Sequence, residues 1–135
     1  MSNSFPLIDS VNPFDQVIKY ADRTSCEINS GVYAVCYLKG AHFCDVLYVG
    51  ASIQLARRFK CAWRDKIYLN AMINSLDKSR FCIKVKAINA KSAEELGQYE
   101  QAYIDWLKPM LNDRTRRAYY KSAKTDDFFN SVKSA

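Results

Sequence analysis

No apolar run in this 135-residue sequence approaches the roughly 18 residues that a membrane-spanning helix needs. The opening residues, MSNSFPLIDS, lack the basic start and apolar stretch of a secretory leader. The five cysteines, Cys26, Cys36, Cys44, Cys61 and Cys82, include no CxxC pair, which argues against a zinc site and a redox dithiol alike. They are expected to be small, reduced core residues of a cytoplasmic protein. Histidine is almost missing: His42 stands alone in a predicted hairpin, where a surface residue is expected. Internal repeats and low-complexity segments are absent, which leaves solenoids and disordered linkers without support.

What is present is ordinary for one compact soluble domain: 49% hydrophobic and 25% charged residues. The charge is unevenly placed. Nine Lys or Arg stand against two Asp between Arg57 and Lys86, and six basic against three acidic residues follow from Asp113, although the whole chain carries only +6. A localised basic surface without an amphipathic anchor points to nucleic acid before membrane.

The patterning predicts an α+β fold. Residues 1–30 form an N-terminal extension with a short helix over Phe14–Tyr20, entered after Asn12-Pro13. Two strands follow, Gly31–Leu38 and Val46–Gly50, joined through Gly40-Ala41 as a two-residue hairpin. In that register Tyr33 faces Tyr48 directly. Ser52 is expected to cap a helix over Ile53–Phe59. A second helix covers Lys66–Leu76, with Ile67, Leu69, Met72, Ile73 and Leu76 facing inward. Phe81–Ala87 alternates as a strand, with Lys84 and Lys86 opposite its apolar side. Ser92-Ala93-Glu94-Glu95 is a capping box that opens a helix ending before Pro109. The basic, tyrosine-containing tail, 113–135, is expected to be either another helix or poorly ordered.

On that last helix Leu96, Tyr99, Tyr103, Trp106 and Leu107 form one apolar stripe, and Glu100 falls inside it. A carboxylate on an inward face is costly unless a cation or hydrogen bonds compensate it. An internal salt bridge to arginine satisfies that requirement; so does a metal ligand or catalytic acid.

Four segments in order resemble the GIY-YIG nuclease superfamily: Gly31-Val32-Tyr33, Tyr48-Val49-Gly50, Arg58 ten residues after Tyr48, and Glu100 followed by Pro109 and Asn112. The likeness spans residues 31–112 and is similar to the nuclease domain at the N-terminus of a bacterial excision-repair enzyme. It implies a small three-stranded antiparallel sheet flanked by helices, in the order β-β-α-α-β-α. The sequence departs from the pattern at Ala51, where many members have lysine, and at Ala62, where many have histidine or tyrosine. Trp63 and Tyr68 lie near that second position but out of register. The interval from Tyr33 to Tyr48 is also longer than usual.

The resemblance implies a metal-dependent endonuclease acting on DNA. Glu100 would hold one Mg²⁺ or Mn²⁺, and Arg58 would grip the scissile phosphate through its planar fork. Tyr33 is the expected base and Tyr48 the partner that orients the phosphate, although either phenol is able to orient or deprotonate the attacking water. A base role needs positive charge nearby, because a free tyrosine has a pKa of about 10. Gly31, Gly50 and Asn112 are supporting residues. Arg57, Lys60, Arg64, Lys66, Lys84, Lys86, Arg114, Arg116 and Arg117 are candidates for nucleic-acid backbone contact. Cutting is expected to be structure-directed or loosely sequence-specific, since little chain remains for a recognition domain. A binding module of the same fold that does not cut, and a ribonuclease, are the alternatives.

Overall fold

Alternating and β-branched residues build one antiparallel sheet. In the computed structural model, which describes residues 14–39 and 44–112, β1 (Gln16–Lys19), β2 (Gly31–Leu38), β3 (Cys44–Ser52) and β4 (Phe81–Ala87) pair in the order β1-β4-β2-β3. A 3-10 helix, Tyr20–Ser25, links β1 to β2. Helices α1 (Leu55–Cys61) and α2 (Ile67–Ser75) separate β3 from β4, and α3 (Ala93–Leu107) follows β4. The α+β class agrees with expectation, but the sheet has four strands rather than three. Among the described residues no helix is long and apolar enough to cross a membrane.

The extra strand lies where a helix was expected. Phe14, Val17 and Ile18 suit helical spacing, yet Val17-Ile18 also alternate outward and inward, and tertiary pairing decides between the two. β1 pairs antiparallel with β4, matching Ile18 to Ile83 and Gln16 to Val85. Asp15 fastens the junction: its backbone N–H donates to Val85 O at 2.8 Å, and its carboxylate accepts from Ala87 N at 2.8 Å. Residues expected in an N-terminal extension therefore belong to the sheet. Residues 1–13, the Gly40-Ala41 turn with His42, and the tail beyond Asn112 lie outside the described residues.

The β2–β3 hairpin closes at Leu38 and Cys44, so residues 39–43 connect the strands rather than a two-residue turn. Tyr33 consequently faces Gly50, and Tyr48 faces Val35. A bulge opposite Val35 and Cys36 inserts Leu47, so that Leu47 and Tyr48 both join the core on one side of the sheet. The displacement from the expected pairing is two residues, an even number, and Tyr33 and Tyr48 still share a face.

β2 is central and buried on both faces, which explains its nearly unbroken apolar run. One face, with Tyr33, Val35, Ile83 and Val85, packs under Leu55, Phe59, Trp63, Leu69 and Met72. The other, with Val32, Ala34, Cys36 and Val49, packs under Leu96 and Tyr103 of α3. The second side of β4 is therefore covered, not open: Cys82 is buried, and Lys84 and Lys86 are partly so. Gly31 is required by crowding, because a Cβ there would strike the Lys86 carbonyl.

Helix limits also shift. Ser52 ends β3 and its Oγ accepts from Gln54 N at 2.9 Å, leaving α1 to begin at Leu55 without a side-chain cap. On α2, Leu69, Met72 and Ile73 are buried and Leu76 partly, whereas Ile67 is 70% exposed. α3 opens as expected: Ser92 Oγ accepts from Glu95 N at 3.1 Å, and Glu95 Oε1 accepts from Lys91 N at 2.9 Å. It stops at Lys108, which adopts a left-handed conformation ahead of Pro109. On its stripe Leu96 and Tyr103 are buried, while Trp106 is 40% exposed. Of the cysteines, Cys61 is exposed and Cys44 partly so, contrary to a uniformly buried set.

Candidate active site

Tyr33 is the centre of the arrangement. It projects from β2 across the sheet, and its ring lies over Gly50 of β3 so closely that a Cβ at that glycine would overlap the phenol. Gly50 is thus the space into which Tyr33 fits. Phe59 stands edge-on to the ring at 5.2 Å between centroids, with Trp63 at 5.7 Å and Tyr48 at 6.3 Å. These contacts fix the phenol in an almost solvent-free setting.

The Tyr33 hydroxyl accepts two hydrogen bonds, from Trp63 Nε1 at 2.9 Å and from Arg58 Nε at 3.3 Å. Burial pushes its pKa above the ordinary value near 10; the two donors and the Arg58 charge pull it down without cancelling that rise. The phenol is therefore neutral at physiological pH.

Trp63 reaches this hydroxyl through an uncommon backbone conformation. α1 ends at Cys61, and Ala62 takes φ 56 and ψ −149, a region favouring glycine. The chain then reverses and brings Trp63 under Tyr20 and against Phe59. Arg23 secures the end of α1 by donating from Nε to Phe59 O at 3.0 Å. Trp63 is a site residue that the sequence motif did not predict; it lies one position beyond the Ala62 departure.

Arg58 continues the network outward. Its Nη2 donates to Asp65 Oδ1 at 3.2 Å, and its guanidinium lies 5.8 Å from the Trp63 ring centroid. Lys66 approaches the second oxygen of Asp65 at 3.8 Å and lies 5.9 Å from the Tyr48 ring centroid. Partial burial raises the Asp65 carboxyl, but the Arg58 hydrogen bond and charge outweigh it and hold the pKa below the usual carboxylate range. Asp65 was also absent from the predicted site. Its signal was its place as the lone acid in the basic run from Arg57 to Lys66. Outside Arg58 an open cavity of about 940 Å³ is lined by Arg57, Arg58, Lys60, Arg64 and Asp65, with Thr24 and the end of α1.

Glu100 sits on α3 between Leu96 and Tyr103, half-buried, on the side that meets the sheet. Its charge is felt at Tyr33, where it pushes the phenol up weakly. Among the described residues no group of three or more His, Cys, Asp and Glu is arranged to hold a metal ion. A single carboxylate nevertheless suits a hydrated hard cation, which commonly takes one or two carboxylates and keeps its waters.

Asn112 has a plainer task. Its Nδ2 donates to Val49 O at 2.7 Å and its Oδ1 accepts from Val49 N at 2.8 Å. Met110 N and Leu111 N donate to Val46 O and Leu47 O at 3.2 and 2.9 Å. Residues 110–112 thereby cover the outer edge of β3, protecting the strand that carries Tyr48 and Gly50.

The chain matches no protein-family model and no curated protein. Its chemistry is thus read from its own residues. Tyr33, Tyr48 and Arg58 converge, Glu100 lies within electrostatic reach, and Arg57, Lys60, Arg64 and Lys66 gather on the Arg58 side. Lys84 and Lys86 do not join them. Both project from β4 to the opposite face of the sheet, where Lys84 lies beside the Cys44 thiol and Lys86 pairs with Asp15 at 3.4 Å. Arg114, Arg116 and Arg117 fall outside the described residues.

Proposed function

We propose that this protein is a metal-dependent endonuclease of GIY-YIG type that hydrolyses phosphodiester bonds in DNA, directed by structure or loosely by sequence. The observation carrying this reading is the hydrogen bond from Arg58 to the buried Tyr33 hydroxyl, which holds a guanidinium that also lines a basic cavity. The phenol anchors one edge of the guanidinium from within the core, and the planar arginine fork is suited to a phosphate arriving from the cavity. Cations along Arg57, Lys60 and Arg64 extend the grip to neighbouring phosphates.

Arg58 holds the scissile phosphate and offsets the charge that grows on it during attack. Tyr33 orients. A phenol oxygen has two lone pairs and one proton, and Trp63 and Arg58 occupy both lone pairs, so the buried hydroxyl acts by fixing the Arg58 guanidinium. Two donors and a raised pKa favour this orienting role over proton abstraction by Tyr33. Tyr48 stands on the same face of the sheet, against the Tyr33 ring and beside Lys66, and would help to orient the phosphate. Glu100 is the residue that would hold Mg²⁺ or Mn²⁺; such an ion, when bound, supplies further charge relief at the phosphate and leaving oxygen.

The test is plasmid nicking with Mg²⁺ or Mn²⁺ against EDTA. Nicking is expected in the first case only, and is expected to fall by at least about 10²-fold in Glu100→Ala. Unchanged cutting by that variant ends the assignment. Tight DNA binding without nicking at either metal selects the non-cutting module instead, the reading that the departures at Ala51 and Ala62 favour.

A further inference from the structure

We propose that Asp65 is an internal stand-in for a nucleic-acid phosphate, holding Arg58 in the free protein and yielding it only to a polyanion. This rests on the reading of Arg58 as the phosphate ligand. Among the described residues, Asp65 is the sole acidic side chain lining the basic cavity. Its two oxygens bridge two cations, Oδ1 to Arg58 at 3.2 Å and Oδ2 to Lys66 at 3.8 Å. Those cations are the ones beside the two phenols, Arg58 on Tyr33 and Lys66 by Tyr48. A carboxylate placed between them offers the paired oxygens that a phosphodiester would offer.

The carboxylate is also able to leave. Asp65 lies in the turn between α1 and α2, and its side chain is 61% exposed. An exposed ion pair contributes little to stability, so displacement does not threaten the fold. A single small anion gains one contact by displacing Asp65 and must overcome its local competition. A nucleic acid engages Arg57, Lys60 and Arg64 at the same time, and only then does exchange at Arg58 become favourable. Asp65 is in this sense a specificity-determining residue, which favours polymeric over monomeric phosphates.

The experiment is a double-mutant cycle on binding of a fluorescein-labelled short DNA duplex in EDTA, titrated over a range of salt. Wild type, Asp65→Asn, Arg58→Ala and the double variant are compared. Asp65→Asn is expected to tighten binding about tenfold at every salt concentration, because Arg58 no longer has to be released from a competing carboxylate before it meets phosphate. In the Arg58→Ala background the same substitution is expected to change affinity by less than about twofold. Inorganic phosphate is expected to compete for Asp65→Asn better than for wild type. An equal gain in both backgrounds overturns the proposal, since it marks a generic charge effect. No gain, with binding still weakened by Arg58→Ala, overturns it while leaving the function standing. Indifference of binding to Arg58→Ala in both backgrounds removes the phosphate-ligand reading itself.

Discussion

Tyr33 carries a burden unusual for a core aromatic, because its oxygen satisfies two donors, Trp63 Nε1 and Arg58 Nε. Tyr33→Phe keeps the ring over Gly50 but leaves both donors without their acceptor, the indole N–H in a fully buried place. The expected loss of stability is about 1–3 kcal/mol, read from urea midpoints. The pH dependence separates this residue from a simple packing role. Above about pH 10 the unfolded chain releases the Tyr33 proton while the native state retains it, since burial raises the folded pKa. The native state then binds more protons than the unfolded one, and stability declines with rising pH. The Tyr33 contribution is fully present below about pH 10 and is lost as pH climbs through the raised value. Tyr33→Phe should therefore flatten part of the alkaline decline. An alkaline limb with the same slope in wild type and variant would show that the phenol titrates normally.

The turn between α1 and α2 delivers Trp63 and Asp65 to the site, and it does so through Ala62 at φ 56 and ψ −149. A non-glycine residue there stores strain of order 1–3 kcal/mol, whereas glycine costs about 0.5–1 kcal/mol more in unfolded-chain entropy. Ala62→Gly is expected to stabilise by about 0.5–1 kcal/mol, raising Tm by about 2–5 °C with the near-ultraviolet spectrum of the tryptophans unchanged. A fall in Tm of that size would mean that packing of the Ala62 methyl outweighs the strain. This turn also shows where local pattern stops being informative. The Ser92 box, the alternation of β4 and the stop at Pro109 were legible because each rests on neighbours in sequence. The placing of Tyr33 and Tyr48 on one face survived a wrong turn length because the displacement was even. Leu47 and Tyr48 are both apolar, so nothing in their order announces a bulge. β1 was hidden because the spacing of Phe14, Val17 and Ile18 serves a helix as well as a strand, and only the open edge of β4 decides. Trp63 stood one position out of register until a backbone angle, invisible in residue names, swung it onto Tyr33.

Among the described residues the cations proposed to meet nucleic acid divide between two faces, and the division bears on how nucleic acid lies. Arg57, Lys60 and Arg64 are exposed around the cavity beside Arg58, whereas Lys84 and Lys86 occupy the far face of the sheet and already have neighbours in Cys44 and Asp15. A rigid duplex that meets Arg58 can follow the first group but has to pass around β4 to reach the second. Each phosphate neutralised adds about 0.9 to the logarithmic dependence of affinity on salt. Replacing Arg57, Lys60 and Arg64 together by Ala should therefore make that slope shallower by roughly 2.5–3, with little change in thermal stability because surface charges are worth little to the fold. The pair Lys84→Ala and Lys86→Ala should leave the slope within about 0.5 of wild type. The comparison is made by fluorescence anisotropy on one duplex from low to physiological salt. If the β4 pair carries the larger share of the slope, DNA lies along the face that bears Lys84 and Lys86, and the reading of Arg58 as the ligand of the scissile phosphate fails.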